Sequence, residues 1–452
     1  MKTNLNTLCL ISFLFLSTLH CVYPKTTGYN TTIDAASNNN LKPKQTFLFG
    51  SKKTKDKGIL ISSPLQYNST LGYGFDFDTA ANINVKADGI SAVKGFYFSV
   101  KLAEGNYKIK VTVGSPKKAT NTTIKAESRR LMLKELPLKK GTQKEIMLNV
   151  NLRSVNINKT SSIQLKTREV NTLNWDDKLS LEFLGDVAIQ KIEIEKTAPI
   201  KTLFLAGDST VADQDLEPWA SWGQFITAYL NTTIVVANYA SSGASLSSFK
   251  SRKRLDKILS QLQNEDIVII EFGHNDEKQK GKDKGPWLSY TNSLKAYITK
   301  IRAKGGIPIL VTPTQRRLFN NQGQLINTHG EFPEAMRKVA TDFDVPLIDL
   351  TKMTTALYES WGIEDSKKGF VHYPANTFHN QTRALKDNTH FNSFGANEIA
   401  RCIVKGIRDL NLNLTDYLKV NVSIYNPRKP NNFSSWTLPM SLRFENTKPE
   451  GN

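Results

Sequence analysis

Between about Thr46 and Lys196 the apolar positions recur with period two. Tyr107, Ile109, Val111 and Val113 alternate with Lys108, Lys110 and Thr112, and Ile146, Leu148, Val150 and Leu152 alternate with Met147, Asn149 and Asn151. Leu179, Leu181 and Phe183 repeat the pattern, as do Ile192 and Ile194. Half-buried antiparallel strands produce such alternation, and no long helical stretch interrupts it. A β-sandwich of jelly-roll kind is therefore expected over residues 46–196. After Thr197-Ala198-Pro199 the texture changes. Strand-like runs at Thr202–Ala206, Ile234–Val236, Ile267–Ile270, Ile307–Val311 and Val345–Ile348 alternate with helical stripes. Leu255, Ile258, Leu259 and Leu262 share one helix face, as do Leu294, Ile298 and Ile301, and then Ile399, Ile403 and Ile407. This predicts a three-layer α/β domain on a parallel sheet over residues 197–412. An irregular extension, 413–452, is expected to pack along its surface.

The start of the chain reads differently. Lys2 precedes the apolar run Leu8–Leu16, which is too short to span a bilayer and has the layout of a secretory signal, placed at residues 1–24. Cys21 raises a lipid anchor as an alternative, although His20 before it fits such processing poorly. Residues 25–45 are polar and patternless, as a flexible tether would be. No later segment is apolar for long enough to cross a membrane, so an exported protein is expected, secreted or periplasmic, with association to the cell surface left open. At 452 residues the chain suits two domains plus extensions. Of its three cysteines, two lie in or beside the leader, so Cys402 has no partner for a disulfide and is expected to be a buried structural thiol. The formal net charge of +19 comes without any nucleic-acid-binding motif. An acidic polysaccharide substrate would also benefit from that field. Nothing in the pattern calls for a partner chain, and a monomer is expected.

Candidate chemistry begins at Gly207-Asp208-Ser209-Thr210, directly after the first strand of the α/β part. Open α/β sheets gather ligands beyond the carboxyl ends of their strands, so Ser209 is well sited as a nucleophile. Acyl transfer also needs a base, a group to orient that base, and donors for the developing oxyanion. His390 supplies the base, and Asp387, three residues earlier on a loop entering a helix, can orient it. The oxyanion donors would be the amide of Ser209, the amide of Gly243 and the side-chain amide of Asn275. Each residue alone also has an ordinary role in a cap, turn or solvated loop. Their common placement beyond strand ends favours catalysis. Arg316 and Arg317 follow the strand ending near Val311 and could pair with uronate carboxylates. Asp208, His274 and Trp219 complete the candidate substrate contacts, with core packing the competing role for Trp219 and bracing for His274.

Gly207-Asp208-Ser209, Gly243 after Asn238, Gly273-His274-Asn275-Asp276 and Asp387-X-X-His390 resemble the four sequence blocks of SGNH (GDSL-type) hydrolases. Thr210, Trp219, Trp222-Gly223 and His274 are similar, more narrowly, to rhamnogalacturonan acetylesterases of carbohydrate esterase family 12. The resemblance covers roughly Lys201 to Leu410. It implies a flavodoxin-like, five-stranded parallel sheet between helices, a serine–aspartate–histidine triad, and removal of O-acetyl groups from pectin without metal or other cofactor. Ala244 departs from the pattern, since related fungal enzymes tend to carry arginine there. Glu127-Ser128-Arg129-Arg130-Leu131 and Trp175-Asp176-Asp177 resemble the β-sandwich that often precedes bacterial members, where a carbohydrate-binding role is one reading and an interdomain structural role another. The expected activity is a secreted carbohydrate O-acetylesterase acting on acidic pectin. An acetylxylan esterase and a non-catalytic polysaccharide-binding protein are the competing readings.

Overall fold

The computed structural model describes residues 44–52, 55–197 and 200–450, so the signal and nearly all of the tether lie outside the described residues. Lys44 and Gln45, assigned to the tether from sequence, instead begin a strand, Lys44–Phe49, and pair with Glu195 and Ile194.

An all-β region is organised around one long strand, Lys178–Lys196. Its first half pairs with Phe96–Lys101 and Thr120–Ala126, and its second half with Gly89–Ala92, Gly105–Ser115 and Lys44–Phe49. Within this one strand the inward positions change phase between Phe183 and Ile192. The reason is a register shift between Ile189 and Lys191. One extra residue in a strand turns every later side chain to the opposite face. Val187 and Ile189 thus share a single buried cluster with Ile192 and Ile194, packed with Phe47, Phe98 and Val111.

The α/β part has five parallel strands in the spatial order Ile234–Asn238, Lys201–Gly207, Ile267–Glu271, Ile307–Val311, Leu347–Ile348. Both faces are covered, which is why these runs are continuously apolar rather than alternating. Leu203, Leu205, Val236, Ile269 and Ile309 face one cluster with Ile399, Ile403 and Ile407, carried by the helix Ser393–Asp409. Phe204, Ala206, Val268, Ile270 and Leu310 face the other, against Leu255 and Ile258 of Arg254–Gln261 and Leu294 and Ile298 of Thr291–Arg302. The first strand in the chain lies between the second and the third. Its outgoing loop therefore stands at the point where the strand order reverses, a place where open sheets leave a crevice.

The described residues form one compact unit. Leu131 and Ile163 of the all-β region enter the two cores of the α/β part. The C-terminal extension returns over both: Leu414, Tyr425 and Leu438 are buried, and Phe444 pairs with Glu217. Among the described residues no helix is long and apolar enough to cross a membrane.

Candidate active site

Ser209 follows the first parallel strand through a turn at Gly207, where a Cβ would lie 2.5 Å from a methyl of Val211. Although 181 positions separate them, His390 Nε2 stands 2.8 Å from Ser209 Oγ. On the other edge of the ring, Nδ1 is 2.7 Å from Asp387 Oδ2. Asp387 Oδ1 accepts from the backbone N–H groups of Thr389 and His390 at 2.9 and 3.0 Å. Burial alone would raise this carboxyl, but the imidazole and the two amides hold it well below the usual carboxylate range. An ionised carboxylate only accepts, so the ring proton sits on Nδ1 and Nε2 is left to accept from the serine hydroxyl.

Asp387 and His390 lie on a strand, Leu385–Phe391, not on the loop expected from the sequence. The run Lys386-Asp387-Asn388-Thr389-His390 is polar throughout and shows no alternation; it is held as a strand by pairing with Phe370–Tyr373 across a register shift. The helix starts only at Ser393, capped by Asn392, whose Oδ1 accepts from the Gly395 N–H at 3.1 Å.

The expected oxyanion donors converge on the same edge. Asn275 Nδ2 donates to the carbonyl of Ala244 at 3.1 Å, which ties the loop after the third strand to the loop after the second. One amide hydrogen of Asn275 is used in this way, and the amide carries a second. Gly243 has φ of 74°, the left-handed region, and a Cβ there would lie 3.0 Å from Glu450 Cβ and 3.1 Å from Lys166 Nζ.

The residues expected to touch substrate have other occupations. Asp208 is fully buried, and its Oδ1 accepts from the Thr210 amide and hydroxyl at 3.0 and 2.8 Å. Trp219 is buried, and its indole N–H donates to Asp387 Oδ2 at 3.2 Å, so it supports the triad. His274 is buried against Thr314, 3.2 Å away, and packs edge-on to His329. Burial, with His329 and Arg316 nearby, pushes its pKa well down, so it braces this loop as a neutral ring. Arg316 pairs with Glu277 at 2.6 Å and donates to the His274 carbonyl at 3.3 Å. Arg317 donates to Ser366 Oγ at 2.8 Å and to Asn388 Oδ1 at 3.1 Å, on the strand between Asp387 and His390. Both arginines thus have internal partners that brace this edge. The guanidinium groups of Arg153 and Arg254 each stand 5.3 Å from the Trp175 ring.

Several supports escaped the sequence reading. Gln214 Nε2 donates to the Ser209 carbonyl at 2.7 Å. Glu271, fully buried beneath the nucleophile turn, contacts Thr210 Oγ1 and the Trp222 indole N–H. A charge closing the apolar run Ile267–Ile270 was the signal that could have revealed it. Beside Gly243, Lys166 pairs with Glu450 at 2.5 Å, and Arg168 pairs with Glu445 at 3.0 Å. Next to them lies a cavity of about 280 Å³, lined by Lys166, Arg168, Gln214, Trp219 and Ser242 among others. Among the described residues no cluster of three His, Cys, Asp or Glu side chains is arranged to hold a metal.

The profile of the GDSL-like Lipase/Acylhydrolase family matches residues 205–396, which include the nucleophile turn and the Asp387–His390 strand. Rhamnogalacturonan acetylesterase RhgT of Bacillus subtilis (strain 168) is 40% identical over 218 residues, spanning 48% of this chain and 93% of its own. Probable rhamnogalacturonan acetylesterase YesY of the same organism is 34% identical over 217 residues, 47% of this chain and 95% of its own. The uncharacterized esterase YxiM, also from that organism, is 24% identical over a longer stretch of 379 residues, 80% of this chain and 90% of its own. With these matches falling on a parallel sheet whose carboxyl edge carries a serine, a histidine and an aspartate in hydrogen-bonded sequence, the chain belongs to the GDSL-like lipase/acylhydrolase family and is a carboxylic ester hydrolase.

Proposed function

We propose that the chain is a carbohydrate O-acetylesterase that removes acetyl groups from acidic pectic polysaccharide, rhamnogalacturonan in the first place, through an acetyl-Ser209 intermediate. The carrying observation is the hydrogen-bonded row Ser209–His390–Asp387 with Gly243 and Asn275 beside it. The 40% identity to RhgT supports the choice of substrate.

In this reading Ser209 Oγ attacks the acetyl carbonyl as its proton passes to His390 Nε2, and Asp387 holds the imidazolium that results. The N–H groups of Ser209 and Gly243 and the Asn275 amide receive the negative oxygen of the tetrahedral intermediate. Its collapse breaks the bond to the sugar oxygen, which leaves as a hydroxyl carrying the proton from His390. Water then gives a proton to the same nitrogen as it attacks the acetyl-serine; collapse breaks the bond to Ser209 Oγ, which takes that proton back from His390, and acetate is released. General-base action requires that His390 Nε2 be free to accept the serine proton.

Lys166 and Arg168 reach this edge from the all-β region, which is read as a jelly-roll-like carbohydrate-binding module over residues 46–196. Their pairs with Glu450 and Glu445 are partly solvent-exposed, and such pairs are weak. Uronate carboxylates of a polymer can exchange for those of the tail. The apolar run at residues 8–16 supports export, and the enzyme is read as a secreted or periplasmic monomer.

Acetate release from acetylated rhamnogalacturonan and acetylated xylan, with wild type and Ser209→Ala side by side, tests the reading. Faster release from the pectic polymer, abolished in Ser209→Ala, is expected. Preference for xylan would move the substrate, and binding without any release would favour a non-catalytic protein.

A further inference from the structure

We propose that Arg129, contributed by the all-β region, is a positioning residue of the active site: it clamps the loop Val211–Ser221 and through Trp219 sets the orientation of Asp387. The proposal rests on the acyl-transfer reading of Ser209.

Arg129 stands at the tip of the hairpin joining Thr120–Ala126 to Arg130–Leu138. The tip is unusual: Glu127 and Arg129 have φ of 54° and 64°, although neither is glycine. Non-glycine residues keep that conformation only where their surroundings over-determine it. Here the surroundings are the loop that follows the nucleophile. Arg129, 4% exposed, donates through Nη1 to the carbonyls of Leu216 and Trp219 at 2.8 and 2.7 Å, with Gln214 O at 3.2 Å, and its Nη2 pairs with Glu217 at 2.5 Å. Ser128 adds a bond from its Oγ to Asp215 Oδ1 at 2.6 Å.

What the clamped loop carries is the second half of the argument. Near its start the Gln214 amide holds the Ser209 carbonyl at 2.7 Å. Near its end the Trp219 indole N–H donates to Asp387 Oδ2, the same oxygen that faces His390 Nδ1. One residue later the Ala220 N–H donates to the carbonyl of Phe391, next to the catalytic imidazole. The loop thus touches the nucleophile, the orienting acid and the strand bearing the base. A planar guanidinium can serve several carbonyls and a carboxylate at fixed angles, which a lysine ammonium cannot reproduce. The all-β region, on this view, completes the catalytic constellation.

The test uses the full chain, with hydrolysis of 4-nitrophenyl acetate and the rate of Ser209 labelling by a fluorophosphonate. Variants are Arg129→Met, Arg129→Lys, Trp219→Phe and the Lys/Phe double variant. The control is Asn149→Ala, which removes bonds to the carbonyls of Thr232 and Ile234 at the far end of the sheet. For Arg129→Met, kcat and labelling rate are expected to fall roughly tenfold to a hundredfold with KM nearly unchanged. Arg129→Lys should recover part of the loss, and Asn149→Ala should keep wild-type activity. Because Arg129 acts through Trp219, the double variant should be no worse than its more damaging single change. If Arg129→Met does not fold, the lysine and phenylalanine variants carry the same cycle. Full additivity between them, or wild-type labelling in folded Arg129 variants, overturns the proposal. Wild type that fails to label at all overturns instead the acyl-transfer reading beneath it.

Discussion

Replacing Glu271 by glutamine should make the protein's stability less sensitive to pH. This carboxyl is fully buried, with Oε1 3.0 Å from the Thr210 hydroxyl and Oε2 accepting from the Trp222 indole. Burial, reinforced by the Asp208 carboxylate, raises it from 4.5 to about 8. In the unfolded chain the proton leaves near the lower value and in the folded chain near the upper one. Between them the folded state holds one more proton, so this contribution is complete at low pH and is lost as pH rises through the window. At about 1.4 kcal/mol per pH unit, the whole traverse is on the order of 5 kcal/mol. Glutamine reproduces the protonated form. Its N–H₂ can donate to the Thr210 hydroxyl, which passes its own hydrogen to Asp208 Oδ1 at 2.8 Å, and its carbonyl can accept from the indole. Denaturant unfolding, followed by tryptophan fluorescence, is the assay. At about pH 5 the two proteins should be similar, and near pH 8 Glu271→Gln should be more stable by roughly 3 kcal/mol. Parallel stability curves for the two proteins would refute the assignment of a protonated Glu271 beneath the nucleophile.

Two further outcomes follow from the site and the core. Asn275→Ala should lower kcat by about a hundredfold to a thousandfold with a small change in KM, as loss of an oxyanion donor does; an unchanged kcat in a steady-state assay would remove Asn275 from that role. Cys402 is fully buried, and burial raises its thiol well above the ordinary range, so alkylation by iodoacetamide should wait for unfolding. Rapid modification of the native protein, read by mass spectrometry, would contradict that.

What a side chain is engaged with is set by contacts that the linear order does not show. Arg316, Arg317 and Trp219 are residue types that bind sugars and uronates, and each lies near the right strand end. Whether such a side chain faces the opening or the interior depends on what already satisfies its polar atoms. Glu277, Asn388 and Asp387 do so here, from elements far away in sequence. The expected loop at Asp387–His390 failed for a related reason: a polar strand paired with a distant partner leaves no periodic trace.

What the linear order determined by itself was local or periodic. The continuous runs of the parallel strands, the helical stripes packed on them, and the blocks at Ser209, Gly243, Asn275 and His390 were all legible, because each needs only its neighbours along the chain. Only tertiary structure decided how the all-β region meets the catalytic edge. The run Glu127–Leu131 could be likened to the β-sandwich of bacterial members, but that Arg129 and Ser128 close on carbonyls and a carboxylate some 85–90 positions further on is visible only in the fold. Burying a guanidinium is favourable only where carboxylates and carbonyls converge on it, and that convergence exists in the folded chain alone.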